Sequence, residues 1–295
     1  MVTQQQPSGS WWTWVAPNYT LGWTNDPNAP DHWQAANSNS NSGLNSNYIF
    51  TVNDGSGGSA TRLKIAPTGQ STTHGTMTTL YNPMPDRTCQ AFGQSVPCGA
   101  YTEQGQEAWY RSRIRFPSGV YVPRSGSWNM VQEWHESRYG STVNNCPTYP
   151  SPNIGVQADP SSDPIHNQGQ HPRLIFEFRG GHVNSDGSGI ENNFIVPERD
   201  TSGNVKPLQY DHWYDVVVHY KWEPNTSGQF EWYVDGQLQY RNLAITTMHV
   251  FCDGSSYPDT FGIYNYQRDD GAWPSGVDFE SMDIGPTAAS VGFTP

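Results

Sequence analysis

Lysine is scarce in this 295-residue chain: Lys64, Lys206 and Lys221 are the only three, and 15 basic residues face 27 acidic ones for a formal charge of −12. So acidic a chain with so few lysines excludes a general nucleic-acid binder. No apolar run approaches the roughly 20 residues that a membrane-spanning helix needs, which excludes a helical integral membrane protein. Charged residues make up only 14% of the chain, too few for the Glu/Lys-rich surfaces of long helices, and no segment carries a convincing helical period. Cysteine is also sparse. The four cysteines lack the CxxC spacing of a zinc site and allow three pairings. The nine-residue separation favours Cys89 with Cys98, leaving Cys146 with Cys252; the alternative is four free thiols in a cytosolic protein. The lysine-poor, Trp-rich composition favours export, and no signal peptide is visible at Met1 to Ser10.

Aromatics, by contrast, are abundant at 13%, and 29 Gly with 23 Pro punctuate the chain. Aromatic and β-branched residues suit pleated surfaces, and frequent Gly and Pro end helices early. Short alternating segments run through the chain: 48–53, 60–66, 106–116, 128–135, 153–158, 173–179, 213–222, 229–239, 260–267 and 277–284. Their length, alternation and turn-rich separators predict an all-β sandwich or jelly roll of two antiparallel sheets with a concave substrate groove. One hairpin is nearly explicit, with Val216, Val218, Tyr220 and Trp222 answered by Phe230, Trp232 and Val234, and Asp235-Gly236 opening a further tight turn. No linker divides the chain. We expect one domain over 1–295, with the polar segment 1–47 packed on it, and a monomer.

Three segments carry candidate chemistry. In Glu107-Ala-Trp-Tyr-Arg-Ser-Arg-Ile-Arg-Phe116, strand alternation puts Trp109, Arg111, Arg113 and Arg115 on one face. Guanidinium forks grip carboxylates at two points and an aromatic beside them can stack on a sugar, so this stripe suits an acidic polysaccharide. It could equally be an outer strand whose arginines are solvated or paired with acids. In Trp128-Asn-Met-Val-Gln-Glu-Trp-His-Glu136, Glu133 and His135 share a face and Gln132 points to the other; a histidine beside a carboxylate can move a proton near neutral pH. In Asp259-Thr-Phe-Gly-Ile-Tyr-Asn-Tyr-Gln-Arg268, Tyr264, Tyr266 and Arg268 lie opposite Phe261 and Ile263.

The order and spacing of these motifs, with Trp-Tyr-Asp-Val-Val-Val-His-Tyr-Lys-Trp and Glu-Trp-Tyr-Val-Asp-Gly between them, resemble the β-jelly-roll polysaccharide lyases of the heparin lyase I-like and glucuronan lyase families. A more distant likeness runs to the jelly-roll alginate lyases. The likeness covers roughly 105 to 285. It implies β-elimination at a uronic acid in an acidic polysaccharide, with no cofactor taking part. By the same resemblance His135 and Tyr264 supply the acid–base chemistry, and Arg111 or Arg113 helps to hold or neutralise the carboxylate. Trp109, Gln132, Glu177, Arg179, Tyr266 and Arg268 are the further substrate-binding candidates. The sequence departs from the family in having Glu133 two positions before the histidine, where glutamine is usual, and Thr260 near the place of a lysine in the alginate-type motif. Three resolutions are open: Glu133 is protonated, an arginine neutralises the substrate, or a β-bulge re-aims Gln132.

Other readings compete on this architecture. A glycoside hydrolase needs two carboxylates across the scissile bond, and Glu133 with Glu177 is the candidate pair. A carbohydrate-binding module would explain the tryptophans. Asp269, Asp270, Asp278, Glu280 and Asp283 offer hard oxygen ligands, so a structural calcium would suit the resemblance. A polymer bearing carboxylates alone, glucuronan-like, fits the −12 charge better than a sulfated one.

Overall fold

Alternating side chains need two faces to bury, and in a computed structural model of the chain they do so as two eight-stranded sheets packed into a sandwich. The structure describes residues 12–15, 34–37, 49–65, 76–81, 88–91, 94–97, 104–121, 129–136, 146–147, 149, 152–157, 171–256, 259–267 and 275–295. The first sheet holds β1 (Trp12–Val15), β3 (Ile49–Asn53), β4 (Ser59–Ile65), β8 (Glu107–Arg115), β13 (Trp213–Lys221), β14 (Gln229–Val234), β15 (Gln237–Asn242) and β18 (Ser275–Gly285). Its order is β15-β14-β13-β8-β18-β4-β3, with β1 also on β18. The second holds β2 (Gln34–Asn37), β5 (Thr76–Tyr81), β9 (Asn129–Glu136), β10 (Asn153–Gln157), β11 (Arg173–Val183), β12 (Ile190–Pro197), β16 (His249–Val250) and β17 (Asp259–Gln267). It runs β12-β11-β10-β9-β17-β5-β2, and β16 pairs in parallel with β11. A separate hairpin joins β6 (Thr88–Ala91) to β7 (Gln94–Pro97).

The hairpin read from the sequence forms in the expected register, from Val216 opposite Val234 to Lys221 opposite Gln229. Asp235 and Gly236 both adopt positive φ, as a two-residue primed turn requires, and so split the 229–239 segment into β14 and β15. Between the sheets, Trp134, Trp222, Trp232, Tyr220, Phe176, Phe178 and Phe230 are fully buried. Tyr110 of β8 meets Trp134 of β9 edge to face at 5.2 Å, and Trp134 lies 5.0 Å from Phe261 of β17. Each such ring removes enough apolar surface to favour folding by about 1.5–3 kcal/mol. This aromatic layer fixes which side chains of β8, β9 and β17 must point outward. Cys146 is bonded to Cys252, as expected; the Cys89–Cys98 pairing lies outside the described residues.

Part of the outward face of the first sheet is covered by the C-terminal segment. Trp109, Val217 and Tyr233 are covered by Val291 and Phe293 of the C-terminal segment, and Trp109 stacks on the buried His219 at 4.3 Å. His219 bonds Glu231 at 2.7 Å and Glu107 at 3.0 Å through its two ring nitrogens.

Candidate active site

The arginine stripe proves to be structural. Arg111, Arg113 and Arg115 share one face, as alternation predicts, but that face is the outward side of the first sheet. Arg111 donates to both carboxylate oxygens of Asp215, at 2.8 and 3.0 Å, and to the carbonyls of Val291 and Gly292. Arg113 pairs with Glu280 at 2.6 Å. Arg115 and Arg62 share the fully buried carboxylate of Asp278. The acids of β13 and β18 thus tie β8 to its neighbours. Arg111, Arg113 and Trp109 therefore stand apart from β9 and β17, and the expectation that they line the substrate site is corrected. Asp278 and Glu280, raised as calcium ligands, are committed to these arginines. Asp269 and Asp270 lie outside the described residues, among which no group of three ligating side chains converges.

On β9 the choice between Gln132 and Glu133 is decided by packing. A register shift against β10 makes Val131 the extra residue of a β-bulge, so Val131 and Gln132 both reach the interior. The Gln132 amide donates to Ser112 Oγ of β8 at 2.7 Å, deep in the sandwich, which removes it from the substrate-binding candidates. Trp134 returns to the core, and Glu133 faces outward from the second sheet. On β17 Phe261 and Asn265 point inward, the Asn265 amide donating to the Leu63 and Ser275 carbonyls, and the pairing with β9 shifts between Ile263 and Tyr266. The register sets Thr260 opposite His135 and Gly262 opposite Glu133. The side chains of His135, Tyr264 and Tyr266 and all of Arg268 lie outside the described parts.

Across the second sheet, one register row runs Gly262, Glu133, Asn153, Glu177, Ile195. Glu133 and Glu177 are therefore two strands apart rather than adjacent, a backbone separation of about 9.6 Å. Asn153 stands between them and donates to Glu177 Oε2 at 3.2 Å. Arg179 Nη2 donates to Glu177 Oε1, and the guanidinium lies 5.8 Å from the Tyr149 ring centre. The Tyr149 hydroxyl accepts from Asn193 at 3.2 Å. His249 of β16 is 1% exposed; burial, and then the positive charge of Arg179, push its pKa down to about 3, so it is neutral. Glu133 is 7% exposed, and its pKa is pushed up to about 8 by burial; Arg179 opposes the rise and Glu177 adds to it. At neutral pH it is a carboxylic acid.

Asn153, Tyr149, Asn193 and His249 were not singled out from the sequence. Ile154 and Val156 already imply that Asn153 faces outward, but its place between Glu133 and Glu177 depends on a register that alternation does not encode.

The polysaccharide lyase family's sequence pattern matches residues 31–273. The chain belongs to the polysaccharide lyase family. The sandwich of this lyase superposes on an endo-β-1,4-glucuronan lyase from the fungus Trichoderma reesei with a TM-score of 0.57 at 15% identity, covering 96% of this chain and 98% of that one. An alginate lyase, vAL-1, from a Chlorella virus gives a TM-score of 0.45 at 11% identity over 86% and 93% of the two chains. No curated protein sequence matches. Membership sets aside the hydrolase and binding-module readings, and in this lyase the carboxylate of Glu177 is engaged by Arg179 and Asn153.

Proposed function

We propose that this lyase cleaves a carboxylate-bearing, unsulfated polyuronate of the glucuronan type by β-elimination, with His135 and Tyr264 as its acid–base pair. The observation that supports the reading is the sheet order: β9 and β17, which carry His135 and Tyr264, are adjacent antiparallel strands, with His135 paired to Thr260 and Glu133 to Gly262. In the reaction a base removes the C5 proton, the freed electron pair forms the C4–C5 double bond, the C4–O4 bond breaks, and O4 leaves with a proton. A carboxylate that keeps its full charge opposes this, since negative charge builds up on it as C5 is deprotonated. The substrate class follows from charge. Arg62, Arg111, Arg113 and Arg115 are spent on acids of the first sheet, and Arg179 on Glu177, leaving no dense basic surface among the described residues for sulfate. The Cys146–Cys252 bond supports action outside the cytosol.

The test is incubation with glucuronan, alginate, pectate and heparin while following absorbance near ~235 nm, where a conjugated unsaturated uronate absorbs after proton abstraction. Glucuronan is expected to respond most strongly. Tyr264→Phe and His135→Ala should each abolish the signal with the fold intact. A fully active Tyr264→Phe enzyme would sink the assignment.

A further inference from the structure

The β-elimination reading needs a group that neutralises the uronate carboxylate, and the arginines assigned to it from the sequence lie on the other sheet. On the outward face of the second sheet Arg179 is bonded to Glu177, and Arg173, on the same strand, to Gln157. In the register row Glu133 stands on β9 itself, the strand of His135, opposite Gly262 of β17. The residue is more than nine-tenths buried, and its carboxyl accepts no hydrogen bond from the side chains of the described residues. Both of its register neighbours, Asn153 and Gly262, are uncharged, and the Asn153 amide is turned to Glu177. An ionised carboxylate in such a place is costly, whereas a carboxylic acid offers one O–H donor.

We propose that Glu133 acts as a carboxylic acid, donating its O–H to the C5 carboxylate of the bound uronate and thereby neutralising it for proton abstraction. The proposal rests on the β-elimination reading and gives that site its specificity. An O–H···O⁻ bond is among the strongest a protein makes, and it suits a carboxylate rather than a neutral hydroxymethyl at C5. The enzyme's proton is shared with the substrate and returns to Glu133 when product leaves, so no net transfer is required. This also explains why glutamate can stand where the related lyases have glutamine: acid and amide each present a donor.

Among the described residues, the charged groups that bear on Glu133's proton both stand on β11, Glu177 and Arg179. Glu177 favours the acid form and Arg179 opposes it, with burial the larger influence.

The experiment measures elimination from pH 6 to 9.5 for wild type, Glu133→Gln and Glu133→Ala. It is paired with affinity of a glucuronan oligomer, and of its carboxyl-reduced form, in a Tyr264→Phe background. Wild type should lose about tenfold of its activity for each pH unit above 8, as the acid form is depleted. Glu133→Gln should retain turnover and lack that alkaline decline. Glu133→Ala should lose about 100-fold, the cost of removing one donor to developing negative charge. Oligomer affinity should weaken above pH 8 with Glu133 and not with Gln, and the carboxyl-reduced oligomer should show no such dependence. The same alkaline decline in wild type and Glu133→Gln, or an active Glu133→Ala, would overturn the proposal. If wild type yields no unsaturated product from any polymer, the β-elimination reading falls. The affinities then judge Glu133 separately, and equal weakening with Glu and Gln overturns its role.

Discussion

Replacing Glu133 by Gln should change how stability depends on pH in a way that the structure fixes in sign and size. The folded carboxyl titrates near 8 and the unfolded one near 4.5, so the folded state holds this proton more tightly. The stability that the proton contributes is complete below about 4.5 and is lost as pH rises through 8. Each pH unit in that window removes about 1.4 kcal/mol, and the full span is worth about 5 kcal/mol. Glutamine keeps the volume and cannot ionise, so every other titrating group is common to both proteins and cancels in the comparison. Urea unfolding at pH 5, 6, 7, 8 and 9 should show Glu133→Gln gaining on wild type by about 1.4 kcal/mol per unit up to 8, then levelling off. A difference that stays constant with pH would refute a buried neutral acid, whatever the effect on catalysis.

Arg111→Ala should destabilise the protein by about 1.5–3 kcal/mol, the range for hydrogen bonds to charged partners, because it frees Asp215 and the 291–292 carbonyls. Elimination per folded molecule should be unchanged, and a large rise in KM would return Arg111 to the substrate. Removing the Cys146–Cys252 bond, which closes 106 residues of chain, should cost about 3–5 kcal/mol in denaturant unfolding, and no loss would show that the bond constrains little of the unfolded state. Raising NaCl from about 50 to 500 mM should raise KM for glucuronan less than about threefold, since Arg62, Arg111, Arg113, Arg115 and Arg179 are already paired with acids and screening has little to weaken. A tenfold rise would point to free basic charge in the groove.

Alternation within a strand was legible wherever a strand buries one face, and this is why the β13–β14 hairpin and the shared face of Trp109, Arg111, Arg113 and Arg115 are as expected. What alternation cannot say is which outward surface that face joins. Asp278 and Glu280, the acids that occupy Arg115 and Arg113, stand more than 160 positions away in the chain. The β12 strand escaped notice because Asn192 and Asn193 interrupt its apolar pattern, and β2 and β16 are too short to show a period. At Val131 and Gln132 the phase itself is broken, although Gln132 and Glu133 still point to opposite faces as alternation predicts. The bulge at Val131 turns two successive side chains inward, so counting by twos along β9 fails just before the site.

The charge balance ties these points together. A uronate has to be met either by a fixed cation or by a proton. On the first sheet, guanidinium groups bond acids on neighbouring strands and knit the sheet; on the second, Arg179 is held by Glu177. Gathering unpaired arginines beneath the substrate would demand either solvent, which weakens their pull, or burial, which is expensive without a partner. Burial has the opposite consequence for a carboxyl group. It drives Glu133 toward the neutral acid, and that neutral acid is the form able to approach an anion. The same desolvation that would disable a buried arginine thus suits a buried glutamate to the contact with a uronate proposed for it.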